Sequence, residues 1–233
     1  MKTLLTLVLV AISSSVFSQS NFHKLSLGAG GGLTTSYGDL SEHNSGAAIY
    51  GTADYLFTPF FSLGLEVQNG TIKGGQFKED IYGRQFKNNF RSLSANAKLQ
   101  LGALVDYKHS RVLNYAKGLY LGAGVGAIQN RVRELERRIP GAPSRVYVPQ
   151  SKELFIPFNA GYNYYIPNKN GVYRYVLNIN YQTNLLIGEG MDGYDSSTIS
   201  FVNTKPDVFT YLTLGVKYNF GPRGMSEKTF LKY

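Results

Sequence analysis

Three histidines, a set of alternating charges and one arginine-rich octapeptide are the groups of this chain whose types and spacing could do chemistry. His43 alone has neighbours of a catalytic kind, Asp39, Ser41 and Glu42. A nucleophile, its base and the group that orients the base must meet in hydrogen-bond geometry, usually from different elements. Four polar residues of one loop read instead as solvated turn chemistry. His23 and His109 stand apart from any such set. There is no cysteine and no paired histidine spacing, so the sequence offers no metal site and no disulfide. Gly28, Gly30, Gly31 and Gly32 precede more strand rather than a helix N-terminus, which is the wrong context for a phosphate cradle. The expectation is a non-enzymatic protein with no catalytic, cofactor or metal residues. A lipid-modifying enzyme with a histidine at its rim is the remaining catalytic alternative.

The charges offer two other possibilities. Asp54, Glu66, Lys98, Arg174 and Lys217 each fall on the polar side of an alternating segment. Enclosed together they would have to pair, because unpaired buried charge is costly. The alternative is a gated ion path. Arg131-Val132-Arg133-Glu134-Leu135-Glu136-Arg137-Arg138 is the second group. Arginine forks take phosphate or carboxylate bidentately, so Arg131, Arg133, Arg137 and Arg138 suit an external anion or an acidic partner. A solvated loop with Glu134 and Arg138 paired at i,i+4 is the plainer reading.

The elements that must position these groups begin with an export signal. Lys2, the apolar Leu4–Ile12 and the small-residue Ser13–Ser18 form its three regions, with cleavage expected after Ser18. The apolar stretch is too short for a transmembrane helix, which needs about 20 residues. The full chain carries a net charge of +9, so the mature one carries +8 after losing Lys2. With export, that balance favours lipopolysaccharide phosphates or an acidic partner over nucleic acid. A mean hydropathy of −0.17 argues against a membrane protein built of helices but fits strands that are polar at every second position.

Eight segments show that alternation. They lie near Lys24–Tyr37, Gly46–Phe57, Phe60–Gly74, Asn89–Leu101, Gly118–Arg131, Glu153–Ile166, Tyr173–Leu186 and Asp207–Phe220. The short turns Thr58-Pro59 and Pro167–Gly171 alternate with the long connections Gly38–Ser45, Gln76–Lys87, Val132–Lys152 and Ile187–Pro206. Ala103–Lys117 breaks the pattern by being long where a short turn belongs; a hairpin hidden there would make ten strands. The periodicity cannot tell inside from outside, so a soluble β-sandwich or lipocalin-like barrel is the rival. A face of glycine, asparagine and charge, set against a tyrosine-rich apolar face, favours an all-β transmembrane, antiparallel, up-and-down barrel, most simply of eight strands.

The last segment carries a resemblance. Thr213, Gly215, Tyr218 and Phe220 follow the order polar, x, glycine, x, x, aromatic, x, aromatic, which resembles the closing-strand signal read by the outer-membrane barrel assembly machinery. Together with the signal peptide and the strand count, it makes the chain similar to the small eight-stranded OmpA/OmpX-type barrels, above all Bacteroidetes versions without a peptidoglycan-binding domain. Ser36-Tyr37-Gly38-Asp39-Leu40 bears a weaker likeness to the strand-one turn of PorG-type barrels of type IX secretion. The resemblance implies residues 1–18 as signal peptide, 19–220 as outer-membrane barrel and 221–233 as a periplasmic tail, with both termini periplasmic. The implied partners are outer-membrane lipid, lipopolysaccharide, the assembly machinery and an envelope protein complex. The tail and Ala103–Lys117 would form a periplasmic docking surface.

Overall fold

The computed structural model describes residues 22–37, 43–75, 85–107, 109–136, 150–167, 173–188, 191 and 207–228. Alternation of side chains every second residue is what a strand with two unlike faces requires, and eight such strands form. They are β1 (Phe22–Tyr37), β2 (His43–Thr58), β3 (Phe61–Gly74), β4 (Gln85–Gln100), β5 (Leu119–Glu136), β6 (Ser151–Pro167), β7 (Tyr173–Ile187) and β8 (Val208–Gly224). Each pairs antiparallel with its neighbour in sequence, and β1 pairs with β8 to close the barrel. Closure leaves no unpaired edge, which a chain without disulfides needs for its stability.

Several strands outrun their sequence-predicted ends. β5 continues to Glu136 opposite Gln85 of β4, so Arg131 and Arg133 belong to a strand rather than to a loop. β8 continues past Phe220 to Gly224, with Gly221 at φ +78°, so the tail begins later than expected. The long connection hides no hairpin among its described residues. It holds a 3-10 turn (Leu101–Ala103) and one short helix, α1 (Arg111–Ala116), capped by Ser110, whose hydroxyl accepts from Leu113 N. At the β2–β3 turn the Thr58 hydroxyl accepts from Phe60 N at 3.2 Å and Phe61 N at 2.9 Å. The export signal, Gly38–Glu42, Arg137 and Arg138 lie outside the described residues.

The barrel thus has two ends. One bears Phe22, Gly224, the Thr58–Phe60 turn and α1; it is the termini end. The other, where β1, β3, β5 and β7 finish, is the loop end.

Candidate functional site: the barrel interior and its outer face

Side chains on the inner face stack in three storeys. At the termini end, Phe60 and Tyr107 meet edge to face with ring centroids 5.7 Å apart, and Leu113, Tyr165 and Tyr173 pack around them. Gly102 sits against the Phe60 ring so closely that a Cβ there would overlap it. At the loop end is an apolar plug of Ile72, Phe86, Phe90, Ile128, Phe155, Leu186, Met191, Phe209 and Tyr211. Phe90 and Phe209 lie 5.4 Å apart, and the Tyr211 hydroxyl donates to Ala48 O at 2.9 Å. Asn88 holds Met191 in the plug through its carbonyl, 2.9 Å away.

Between the plugs the interior is polar and joined up. Asn178 Nδ2 donates to the Tyr120 hydroxyl at 3.0 Å, and Tyr120 donates to Asn180 Oδ1 at 2.9 Å. Asn180 then donates to Asn159 at 3.0 Å, Asn159 to Asn96 at 3.1 Å and Asn96 to Ser94 at 2.9 Å. Gln68 Nε2 lies 2.6 Å from both Glu66 Oε1 and Gln182 Oε1, tying β3 to β7 across the lumen. Burying this many polar groups is tolerable because most of them satisfy one another; Ser26 Oγ, Thr52 Oγ1, Gln182 Nε2 and Asn184 Oδ1 are left without a partner among the described residues.

The predicted charges sort unevenly. Asp54, Glu66, Lys98 and Lys217 are buried in the middle storey. Lys217 Nζ bonds Asp54 Oδ2 at 2.7 Å, and Lys98 Nζ stands 3.6 Å from Glu66 Oε2. The Asp54–Lys217 pair runs from β2 to β8 over β1, and Gly28 leaves the room: a Cβ there would come within 2.8 Å of both Lys217 Cγ and Thr52 Oγ1. Arg174 departs from the expectation. It is exposed at the start of β7, where a register shift at Ile166/Pro167 disturbs the pleat, and its Nη1 donates to the Tyr218 hydroxyl at 3.1 Å on the outer face. Among the described residues the middle storey therefore holds two carboxylates and two ammonium groups, a balanced set that the inclusion of Arg174 would have unbalanced.

The closing-strand residues are placed as follows. Thr213 points inward and donates to Asn180 O at 3.4 Å. Gly215 lies beneath Tyr50, whose hydroxyl occupies the space of any Cβ. Tyr218 and Phe220 stack on the outer face at 6.1 Å, with Tyr175 5.3 Å from Tyr218.

The histidines do not converge. His23 Nδ1 lies 3.2 Å from Gly221 O at the termini end, and His43 is the first residue of β2 at the loop end. His109 lies 3.4 Å from Asp106 in the exposed connection. No group of His, Cys, Asp or Glu among the described residues is placed to hold a metal ion. In the same connection Lys117 donates to Asn114 Oδ1 at 2.8 Å and stands over the Tyr107 ring; burial pushes its ammonium below the ordinary lysine range.

The outer face settles how this interior is used. Leu121 is 71% exposed and Val125 67%, while Lys98 and Lys217 are each 7% exposed. Leucine outside with lysine inside is ruinous in water, and is what a strand facing lipid requires. The chain is a membrane-spanning β-barrel. Toward the loop end of β3–β6 the arrangement reverses within one step of the pleat. The outward row Val67, Leu93, Ala127, Leu154 is followed by the row Asn69, Arg91, Gln129, Lys152, while inward positions become Ile72, Phe90, Ile128 and Phe155. The strands leave the lipid there, and beyond it they follow the rule for soluble barrels. Arg131 and Lys73 extend the basic outward surface, and a small polar hollow of 210 Å³ lies between Arg91 and Arg131.

No protein-family model matches the sequence, and no curated protein does. Solved structures similar to the chain include surface protein A (NspA) of Neisseria, at 16% identity and TM-score 0.47 over 84% of this chain and 97% of that one. The attachment invasion locus protein Ail of Yersinia pestis aligns at 13% identity and TM-score 0.42 over 85% of this chain and 99% of that one. The outer membrane protein OprG of Pseudomonas aeruginosa aligns at 11% and 0.42 over 86% of this chain and 99% of that one.

Proposed function

We propose that this protein is a non-enzymatic barrel of the bacterial outer membrane that works as a structural or accessory subunit of an envelope complex, with its termini in the periplasm. The observation that carries this reading is the filled lumen: a joined polar core between two hydrophobic plugs leaves the interior devoted to packing. Work is then left to the surfaces at the two ends. The basic outward row supports contact with lipopolysaccharide phosphates, in which Arg131 acts with Arg91 and Lys152 rather than with the octapeptide alone. A secretion-related role would fit the Tyr37-Gly38-Asp39 stretch, of which only Tyr37, the last residue of β1, is described.

Extraction in mild detergent followed by pull-down of the full chain tests the reading. A stoichiometric envelope protein that co-purifies supports an accessory role. A monomer that conducts ions supports the runner-up, a narrow gated pore, which the charges Asp54, Glu66, Lys98 and Lys217 of the middle storey favour. Replacing Arg91, Arg131 and Lys152 by alanine should lower lipopolysaccharide retained through purification; unchanged retention would remove that contact from the proposal.

A further inference from the structure

The connection between β4 and β5 is longer than a strand turn requires, and its residues divide between two surroundings. Leu113 faces the barrel base and joins the Phe60–Tyr107 cluster. Leu104, Val112 and Tyr115 go the other way, at 71%, 74% and 71% exposure, as open as the barrel's own lipid-facing leucines. Val112 and Tyr115 share one face of α1 at i,i+3. A six-residue helix has little stability of its own, so its placement follows from what it packs against.

We propose that this connection is an interfacial anchor that rests on the lipid leaflet at the termini end of the barrel. Continuity names the occupant. Leu104 shares an apolar groove of 620 Å³ with Leu99, Leu119, Leu121, Ala160 and Ile179, all on the outer wall. Tyr115 is tied to the same wall, since the Tyr162 hydroxyl donates to its carbonyl at 2.9 Å. The two ends of the connection thus meet the lipid-facing surface from outside the barrel, and Val112 lies between them. Tyrosine at the edge of the hydrocarbon, with the exposed Arg111 beside it for headgroup phosphate, is the composition a membrane interface selects. Lys228, from beyond β8, donates to Ala103 O at 2.9 Å and Val105 O at 3.3 Å, fixing the connection against the rim.

The chain contains no tryptophan, so a single introduced one reports its own site. Leu104→Trp, Val112→Trp and Tyr115→Trp are refolded separately as full-length protein into phosphatidylcholine–phosphatidylglycerol vesicles, with and without bromine on the acyl carbons nearest the headgroup. Leu214→Trp, inside the belt, is the control. All four positions are outward, and heat-modified gel mobility reports folding for each. The expected result is blue-shifted emission that falls to about half in the brominated vesicles at all three positions, with little quenching by aqueous iodide. Emission like that of tryptophan in water, quenched by iodide and not by bromine, overturns the proposal and leaves a periplasmic protein as the occupant. Because the anchor rests on the lipid-facing belt and not on the accessory role, an unquenched Leu214→Trp would overturn the belt and the anchor together, while a quenched one isolates the anchor.

Discussion

Single residues of the lumen are constrained by what stands across from them. Lys217 is tolerable where it is only because Asp54 is 2.7 Å away. Asp54→Asn keeps the shape and strands the ammonium, and should cost about 3–5 kcal/mol of unfolding free energy. Asp54→Leu combined with Lys217→Met removes both charges and should recover most of that loss, as read by urea titration of the refolded barrel in lipid vesicles. An equal loss in the single and double variants would show that the pair is not what holds the charge. Gly215 is constrained by volume instead. Gly215→Ala drives a methyl into the Tyr50 hydroxyl, an overpacking of about 1–3 kcal/mol. Tyr50→Leu should relieve it in part. If Gly215→Ala is as stable as the parent, the closing-strand glycine serves recognition alone. Nothing in the sequence pairs Gly215 with Tyr50: they come from β8 and β2, and only closure of the barrel through β1 brings them together.

At the scale of the element, each of β3 to β6 carries two polarity rules joined end to end. β4 is the clearest. Leu93, Ala95, Ala97 and Leu99 face outward against Ser92, Ser94, Asn96 and Lys98, yet Phe86 and Phe90 face inward against Asn89 and Arg91. The alternation along β4 is unbroken from Gln85 to Gln100; what changes is the medium. The lipid-spanning half was legible from alternation, because it is apolar on one side throughout. The loop-end half was not, because its apolar side is the opposite one, and a reader following the first face meets asparagine and arginine and ends the strand. Phe86, Phe90, Ile128, Val132 and Phe155 would have given it away as a second alternation in phase with the inner face. The placement of Arg174 was hidden for another reason, since a register shift at a strand end leaves no mark in the spacing. The connection at the termini end tests how far an element depends on its neighbour. Lys228→Ala removes two bonds to the Ala103 and Val105 carbonyls. Hydrogen exchange should then quicken across residues 103–117 and stay unchanged in β4 and β5. Quickening in the strands as well would mean that the connection helps to hold the barrel rather than merely resting on it.

As a whole molecule the barrel is a tube closed at three levels, and that decides whether it conducts. An eight-stranded interior is just wide enough for its side chains to fill. Here the Phe60–Tyr107 cluster fills the termini end, the Asp54–Lys217 and Glu66–Lys98 pairs with the asparagine relay fill the middle, and Phe90, Phe209 and Tyr211 fill the loop end. Rearranging the ion pairs opens only the middle storey, so a switch of salt-bridge partners is insufficient for an ion path. The reconstituted protein should therefore show no stable single-channel current in a planar bilayer, and Lys98→Ala should not create one. Phe90→Ala with Phe209→Ala thins the loop-end plug and Phe60→Ala the termini end, yet even this triple variant should stay closed, because the Asp54–Lys217 and Glu66–Lys98 pairs still fill the middle. Only when Lys98→Ala is added to all three is an ion leak expected. A steady wild-type conductance that Lys98→Ala abolishes would mean that both plugs move aside in the membrane, and the lumen would then be a gated path whose charges do the gating.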